Sequence, residues 1–365
     1  MNPLRAIGWP ADADAGAPLP PGWGEALQAH PEARPARVAE QHRSGYVLAD
    51  GPGRSFGAES LPDWQRPKFP PERRAAVGDW VLVEGEGAAA RIVALLPRLS
   101  AIKRAMAGEH YGQQVIAANV DTAFVVTGLD GDFNPRRIER YLLLVRGGAQ
   151  PVVVLTKADL VAATDPDAVR AAVAALDDVA AQGVPVVALN ARDRAAAAQA
   201  LAQWLQPGRT AVLVGSSGAG KSTLTNSLLG IERMRTAAVR AGDDRGRHTT
   251  THRALVPLPS GACLIDTPGM RELKPTGEED LAESFADIEA LAAQCRFRDC
   301  IHDREPGCAV RAAVDAGAVD PRRVANFLKL RDEVAGAAAK LAARRAQKPA
   351  GKPQDRCQGG RHGKR

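Results

Sequence analysis

A glycine-rich loop between an apolar run and a helix-like pattern constrains the fold of this chain more than any other stretch. Residues 211–214 have the pattern of a buried strand, and Leu224, Leu228 and Leu229 share one face of the helix that follows. The loop between them consists of Gly215, Ser216, Ser217, Gly218, Ala219, Gly220, Lys221, Ser222 and Thr223. A strand, a glycine loop and a helix in this order are typical of a P-loop.

Each part of this loop suits a phosphate group. Glycines let backbone N–H groups turn inward around phosphate oxygens at the start of a helix. Lys221 can reach the β- and γ-phosphates, and the Ser222 hydroxyl can bind Mg²⁺. The loop therefore predicts that the chain binds a nucleoside triphosphate, and it does not select the base.

Composition and charge narrow the class of protein. A chain of 365 residues has room for two or three domains, and its net charge of +6 favours a polyanionic partner. Residues 1–35 lack the apolar core of a signal peptide, and no run approaches a membrane span, so we expect a cytoplasmic protein without membrane contact. Five unevenly placed cysteines argue against a disulfide framework.

The region before residue 101 divides into two parts. Residues 1–35 are rich in Pro, Ala and Gly, and we expect a loosely ordered, flexible arm there. Short β-like runs separated by Gly and Pro over residues 36–100 predict a small closed barrel. Their spacing fits an OB-fold or an SH3-like barrel, and we predict the OB-fold. Such a barrel binds nucleic acid or serves only as a packing module.

Residues 101–275 alternate between β and α patterns. Strand-like runs cover residues 120–129, 151–155 and 184–189, and helical patterns follow, one of them over 194–205. Asn134 can cap a helix that has Pro135 at its first position. Repeated βα units predict a mainly parallel sheet covered on both faces, with ligands beyond the carboxyl ends of its strands.

Two of these strand ends carry residues that suit a guanine base. Thr156, Lys157, Ala158 and Asp159 resemble the Asn-Lys-x-Asp motif of GTPases, with Thr in place of the usual Asn. A carboxylate there accepts hydrogen bonds from the ring N–H and the exocyclic amine of guanine, a donor pair that adenine lacks, and the Lys stem can lie against the base. Asn190 and Ala191 resemble the loop that contacts the guanine oxygen through a backbone N–H.

Two further segments follow the P-loop. Residues 241–253 are polar and punctuated by glycines, and they contain His248, Thr249, Thr250 and Thr251, which indicates a switch loop. A strand over 262–265 ends in Asp266, Thr267, Pro268 and Gly269. This end resembles the second switch of GTPases, in which the Asp acts on Mg²⁺ through water and the Gly N–H senses the γ-phosphate.

The order of these motifs is their most specific property. In ordinary small GTPases the base motif follows the P-loop, whereas here residues 156–159 precede it and residues 266–269 come last. The same core must therefore be circularly permuted. With a barrel before it and a cysteine cluster behind it, the chain over residues 36–335 resembles the ribosome small subunit-dependent GTPase A family. The resemblance implies a GTPase that binds the small ribosomal subunit and its rRNA, assists late maturation, and releases other assembly factors.

The cysteine cluster predicts a metal site. Cys295, Cys300, His302 and Cys308 lie within one short loop that has few apolar residues. Three thiolates and one imidazole are what a closed tetrahedral Zn²⁺ site needs, and the metal would supply folding energy. We therefore expect a zinc-binding helical domain over residues 276–338, in which Asp320 and Pro321 start a helix. The basic tail, residues 339–365, is expected to be disordered; it touches RNA phosphates or is a solvated end.

The assignment of catalytic residues depends on a glutamine that the second switch lacks. Many GTPases carry a water-orienting Gln after the switch glycine, and here that position is Met270, whose thioether cannot donate a hydrogen bond. We expect Lys221, Thr250 and the Gly269 N–H to stabilise charge, with Mg²⁺ on Ser222 and Thr250. Thr249 and Thr251 are alternatives to Thr250 as that ligand. His248 either orients the water or is a solvent-exposed histidine.

Three functions remain compatible with these patterns. The first is a GTPase that is slow alone and stimulated by the small subunit, acting as a monomer. The second is a GTP-gated rRNA-binding scaffold whose hydrolysis is incidental. The third is a P-loop ATPase, which residues 156–159 argue against.

Overall fold

The structure is a computed structural model that describes most of the chain. The described residues are 2–10, 18–42, 45–66, 69–105, 113–131, 133–231, 253–266, 285–321, 323–325, 327–332 and 336. Within them the strands are β1 Arg34–Gln41, β2 Tyr46–Gly51, β3 Arg54–Ala58, β4 Trp80–Glu84, β5 Arg91–Leu95, β6 Ala101–Ala105, β7 Gln113–Ala118, β8 Thr122–Gly128, β9 Gln150–Thr156, β10 Val186–Ala188, β11 Thr210–Val214, β12 Ala254–Pro257 and β13 Cys263–Asp266.

The described residues also form α-helices. They are α1 Trp23–Ala29, α2 Pro135–Arg146, α3 Ala158–Ala162, α4 Ala168–Ala174, α5 Asp177–Ala181, α6 Arg194–Leu201, α7 Lys221–Leu229, α8 Ala286–Ala292 and α9 Ala309–Asp315. A further helical stretch begins at Pro321, as the sequence predicts, and continues to residue 332 where it is described. None of the described helices combines the length and apolar character that crossing a bilayer requires.

Five strands form the barrel predicted for residues 36–100. β1 pairs with β2 and β4, β2 pairs with β3, and β4 pairs with β5, all antiparallel. A parallel bridge between Glu59, just after β3, and Arg91 in β5 closes the circle. The interior holds Val38, Leu48 and Val81, none of which is exposed. Five strands in one closed barrel agree with the OB-fold prediction.

The central sheet has the order β10-β9-β8-β11-β13-β12, in which only β12 runs antiparallel to its neighbour among the described strands. All residues of β8 and β11 are buried, because helices cover both faces of this sheet. Val125 and Val212 pack on the side of α2, whereas Phe124 and Leu213 pack on the side of α6 and α7. The prediction of a mainly parallel, doubly covered sheet is confirmed.

Helix α2 begins as its sequence predicts. The Asn134 side chain accepts a hydrogen bond from the Arg137 N–H at 3.3 Å, and Pro135 occupies the first helical position. The side chains of Ile138, Tyr141 and Leu142 are buried against the sheet. Helix α6 ends at Leu201, four residues earlier than expected, and the chain then turns toward Pro207.

The described part of residues 1–35 packs into the protein, which differs from the flexible arm that we expected. Trp9 and Trp23 are buried and lie 4.9 Å apart, and Trp9 meets Trp80 of β4 edge-on at 4.8 Å. The Trp23 indole N–H donates to the carbonyl of Pro97 at 2.8 Å. Burial of these two large aromatic side chains orders a segment whose Pro, Ala and Gly content indicated flexibility.

Arg37 in β1 joins three regions of the chain. Its guanidinium donates to the carbonyls of Gly78 at 3.1 Å and Asn119 at 3.0 Å, and to that of Ile7. The side chain is buried and lies over the Trp80 ring. Burial lowers the pKa of Arg37. The N-terminal segment, the barrel and the start of the central sheet therefore share one buried polar centre.

The C-terminal helices pack on the central domain through an ion triad. Arg323 donates to Asp287 at 2.9 and 3.1 Å and to Glu139 of α2 at 2.8 Å. Its guanidinium also lies 4.8 Å from the centre of the Phe285 ring. Leu143 of α2 belongs to the apolar core of the C-terminal region. α2 thus connects the sheet to the helices that carry the cysteine cluster.

Candidate functional site

The P-loop lies between β11 and α7, as the sequence predicts. Gly220 has a φ of 92°, and a Cβ there would lie 3.0 Å from the Thr156 hydroxyl, so only glycine fits. The Lys221 ammonium donates to the carbonyls of Gly215 at 2.8 Å and Ser216 at 2.5 Å, which holds it against the loop. Ser222 and Thr223 follow in the first turn of α7.

Thr156, at the end of β9, is bonded to the P-loop. Its hydroxyl lies 2.7 Å from the carbonyl oxygen of Ala219 and 3.3 Å from that of Thr127, and the side chain is fully buried. This position directs the Thr156 side chain toward the protein backbone. Replacement of the usual Asn by Thr is therefore accommodated by a hydroxyl that ties two motif loops together.

The next residues of this motif start α3. Lys157 has a left-handed backbone with a φ of 62°, and its ammonium is paired with Asp130. Ala158 and Asp159 lie in the first turn of α3, where both are half-buried. The Ala158 N–H donates to the carbonyl of Leu189 at 3.4 Å, so the loop after β10 adjoins the same place.

That loop contains the second pair of predicted base contacts. Asn190 accepts a hydrogen bond from the Arg192 N–H at 2.9 Å, which shapes the turn after β10. Ala191 is buried, and its carbonyl accepts a hydrogen bond from the Ser227 hydroxyl of α7 at 2.6 Å. The P-loop helix is thereby fixed against the loop that carries Asn190 and Ala191.

Asp266 occupies the end of β13, next to the P-loop strand. It is 6% exposed and pairs in register with Leu213, two residues before Gly215. Its carboxylate thus lies at the sheet edge where the P-loop begins. The other predicted switch residues, His248, Thr249, Thr250, Thr251, Gly269 and Met270, lie outside the described residues.

Asp130 and Ser227 contact predicted site residues, Lys157 and Ala191, and the sequence did not single them out. Asp130 follows the end of β8, and a polar residue just after a buried strand is a signal that could have found it. Ser227 lies within a helix, and nothing in the sequence distinguishes it from an ordinary helical serine.

The predicted metal ligands come together in the C-terminal region. The ligand atoms of Cys295, Cys300, His302 and Cys308 all lie within 4.8 Å of one another. His302 Nδ1 lies 3.6 Å from the Cys295 sulfur and 3.4 Å from the Cys308 sulfur, and these two sulfurs are 3.9 Å apart. Four donors at such spacing could hold one metal ion.

The surroundings of two cysteines in this cluster shift their pKa values in opposite directions. Although burial opposes it, backbone N–H groups of Val310 and Ala309 lower the pKa of Cys295. Cys308 caps α9, and its sulfur accepts a hydrogen bond from the Arg311 N–H at 3.4 Å. Burial raises the pKa of Cys300 to about 11. Cys263 lies elsewhere, buried in β13.

The strand order and the loops at this edge define a circularly permuted P-loop GTPase. The P-loop strand β11 lies between β8, which precedes it in the chain, and β13, which follows it. A family model described as RsgA GTPase matches residues 95–276. The chain belongs to the RsgA GTPase family and is a GTP hydrolase.

Similar proteins agree with this assignment over nearly the whole chain. The small ribosomal subunit biogenesis GTPase RsgA of Xanthomonas axonopodis pv. citri is 67% identical over 96% of this chain and 93% of its own length. The protein of that name from Xanthomonas campestris pv. campestris strain B100 is 66% identical over the same shares.

Two solved structures have the same fold. YloQ, described as a circularly permuted GTPase, has a TM-score of 0.59 at 23% identity and covers 84% of this chain and 96% of its own. YjeQ from Thermotoga maritima has a TM-score of 0.60 at 24% identity and covers 83% of this chain and 99% of its own. These likenesses support the fold.

Proposed function

We propose that this protein couples GTP hydrolysis to late maturation of the small ribosomal subunit, as a cytoplasmic monomer that contacts rRNA and releases other assembly factors. The observation that carries the nucleotide part is the bond between Thr156 and Ala219, because it joins the base motif to the phosphate loop. The subunit part is supported by relatives that are two-thirds identical and named for small-subunit biogenesis.

The base and the phosphates would be held by different loops. Asp159 accepts hydrogen bonds from guanine, the Lys157 stem lies against the base, and Asn190 and Ala191 adjoin the guanine oxygen. The backbone N–H groups of the P-loop surround the phosphates, and the Lys221 ammonium turns from the loop carbonyls toward the β- and γ-phosphates.

Oxygen donors suited to Mg²⁺ lie beside the P-loop. The Ser222 hydroxyl is in the first turn of α7, and the buried Asp266 carboxylate is at the end of the adjacent strand. Magnesium prefers such oxygen ligands and retains water, so Asp266 would act through water. We assign Thr250 as the second direct ligand. An ion bound there would neutralise phosphate charge.

We propose that His248 orients the attacking water, because Met270 cannot donate a hydrogen bond. Thr250 and the Gly269 N–H then stabilise the γ-phosphate charge together with Lys221. His248→Ala should remove most of the stimulation by small subunits and leave GTP affinity intact. Stimulation of the variant equal to that of wild type would contradict this role and favour a ribosomal group.

We propose Zn²⁺ as the metal of the cysteine cluster. Zn–S bonds of about 2.3 Å and Zn–N bonds of about 2.0 Å give tetrahedral edges of about 3.8 Å between sulfurs and about 3.5 Å from sulfur to nitrogen. The observed 3.9 Å between Cys295 and Cys308, and 3.4 and 3.6 Å to His302, match these values. Four protein ligands leave no open position, so the metal would be structural.

The barrel and the cysteine region would act as two contacts with rRNA. Arg296, Arg298 and Arg304 are exposed on the cysteine loop, and Phe297 is 41% exposed. Arginines bind phosphates, and an exposed ring can stack on an unpaired base. Binding should therefore weaken as salt rises.

Nucleotide-dependent co-sedimentation tests the proposal. The protein should sediment with purified small subunits in the presence of a non-hydrolysable GTP analogue. Much less protein should sediment with them in the presence of GDP or of the matching ATP analogue. Equal sedimentation with GDP, or with large subunits, would contradict it. Nucleotide-dependent binding without stimulated multiple-turnover hydrolysis would instead favour the rRNA-binding scaffold.

A further inference from the structure

We infer that Asp130 is a positioning residue of the base-binding site. Its carboxylate holds the Lys157 side chain where the lysine stem can lie against the face of a guanine base. This inference rests on the proposed guanine-binding function. Asp130 follows β8 by two residues. The Leu129 N–H donates to the carbonyl of Thr156 at 2.9 Å, which fixes the turn carrying Asp130 beside the end of β9.

The Lys157 ammonium donates to the Asp130 carboxylate across these two strand ends. The Lys157 side chain is 21% exposed and that of Asp130 is 45% exposed. Both groups also pack over Gly128, the last residue of β8. A Cβ at Gly128 would lie 2.9 Å from an Asp130 oxygen and 3.2 Å from Lys157 Cε.

Two features of the backbone make this arrangement specific. Lys157 has a φ of 62°, so its Cα–Cβ bond has a direction that an ordinary extended or helical backbone would not give. The Phe133 N–H donates to the carbonyl of Asp130 at 3.0 Å, which closes the turn leading to α2. The Lys157 side chain is therefore held along the strand ends at both its Cα and its ammonium.

Such an arrangement lowers the cost of binding a base. A free lysine side chain has many rotamers, and ordering it when a ligand binds reduces affinity. Because Asp130 holds the ammonium beforehand, the methylene stem is already in place for the base plane. The contribution of Asp130 to affinity acts through the contact between the Lys157 stem and the plane of the base. It should therefore not depend on the exocyclic groups that Asp159 recognises.

Substitution of Asp130 tests the inference in the full-length protein. Asp130→Asn should weaken GDP binding about threefold, which lies within the range for a partly exposed ion pair. Inosine diphosphate, which lacks the exocyclic amine, should lose affinity by the same factor. KM for GTP should rise while kcat at saturation stays unchanged. Asp130→Glu should restore most of the affinity, because it keeps the carboxylate.

Two further variants distinguish a failure of the inferred role of Asp130 from a failure of the proposed guanine site. Asp167→Asn is the matched control, since Asp167 forms an exposed ion pair with Arg170 in the same domain, and it should leave GDP affinity unchanged. Asp159→Asn should reduce guanine affinity strongly. Unchanged or tighter GDP binding by Asp130→Asn, with Asp159→Asn impaired, would overturn the role of Asp130 alone. Unchanged binding by Asp159→Asn would overturn the guanine site itself.

Discussion

The Thr156 hydroxyl donates to the carbonyl oxygen of Ala219 at 2.7 Å, which links the end of β9 to the P-loop. The second acceptor, Thr127, is more distant at 3.3 Å. Because a hydroxyl has one hydrogen, the shorter contact is the principal bond. A displacement of the base-binding strand must therefore move the phosphate loop or break this bond.

Loss of the Thr156 hydroxyl should weaken nucleotide binding. Thr156→Val keeps the side-chain shape but leaves the buried Ala219 carbonyl without its donor, which costs about 1–2 kcal/mol, or about tenfold in affinity. Titration with a fluorescent GDP analogue measures the change. Thr156→Ser retains the hydroxyl and is the control. Equal affinities for the Val and Ser variants would show that the bond does not support the loop.

Asp159 should determine the choice of base. Asp159→Asn replaces two acceptors by one acceptor and a donor, so the variant should lose GTP affinity and gain affinity for xanthosine triphosphate, whose 2-oxo group accepts a hydrogen bond. Competition among GTP, ATP and xanthosine triphosphate checks this expectation. Wild-type protein that binds ATP as tightly as GTP would contradict the assignment.

The cysteine cluster should hold one zinc ion per chain. Cys300→Ser removes one of four ligands and should lower the bound zinc measured by elemental analysis. The cluster packs in the core that contains Phe285 and Phe327, so the C-terminal region should also lose stability. Cys263→Ser, remote from the cluster, should keep its zinc. Zinc-free wild-type protein with an intact C-terminal region would refute the site.

The N-terminal segment should contribute to global stability. Gly8 has a φ of 92°, and a Cβ there would lie 2.2 Å from Arg37 Nη1, whose side chain is fixed by three carbonyls. Gly8→Ala should cost about 3 kcal/mol of unfolding free energy, measured with urea.

Gly53 provides a control for this substitution. It has a φ of 67° but open space around a Cβ, so Gly53→Ala should cost only about 1 kcal/mol from backbone strain. Equal losses in the two variants would mean that the contact between Gly8 and Arg37 adds nothing to stability.

The sequence predicted features that depend on local pattern. The buried strands β8 and β11 are long apolar runs, Asn134 and Pro135 mark the start of α2, and the spacing from Cys295 to Cys308 indicates a metal site. These signals lie within short segments, where strand periodicity, helix capping and ligand spacing act.

Contacts between residues that lie far apart in the sequence could not be predicted from it. Trp9 and Trp23 order the N-terminal segment only because Trp80 of the barrel meets Trp9. Ser227 reaches Ala191 only after the sheet aligns the ends of their elements. Such contacts depend on tertiary packing, and the Pro, Ala and Gly content of residues 1–35 concealed the importance of the two tryptophans.

Phosphate release from GTP, measured with purified small and large ribosomal subunits in parallel, tests the central claim most directly. The isolated protein should hydrolyse GTP slowly, because Met270 stands where many GTPases carry a water-orienting glutamine. Small subunits should stimulate multiple turnovers strongly, and large subunits should not. Equal rates with both subunits, or no stimulation by small subunits, would contradict the account.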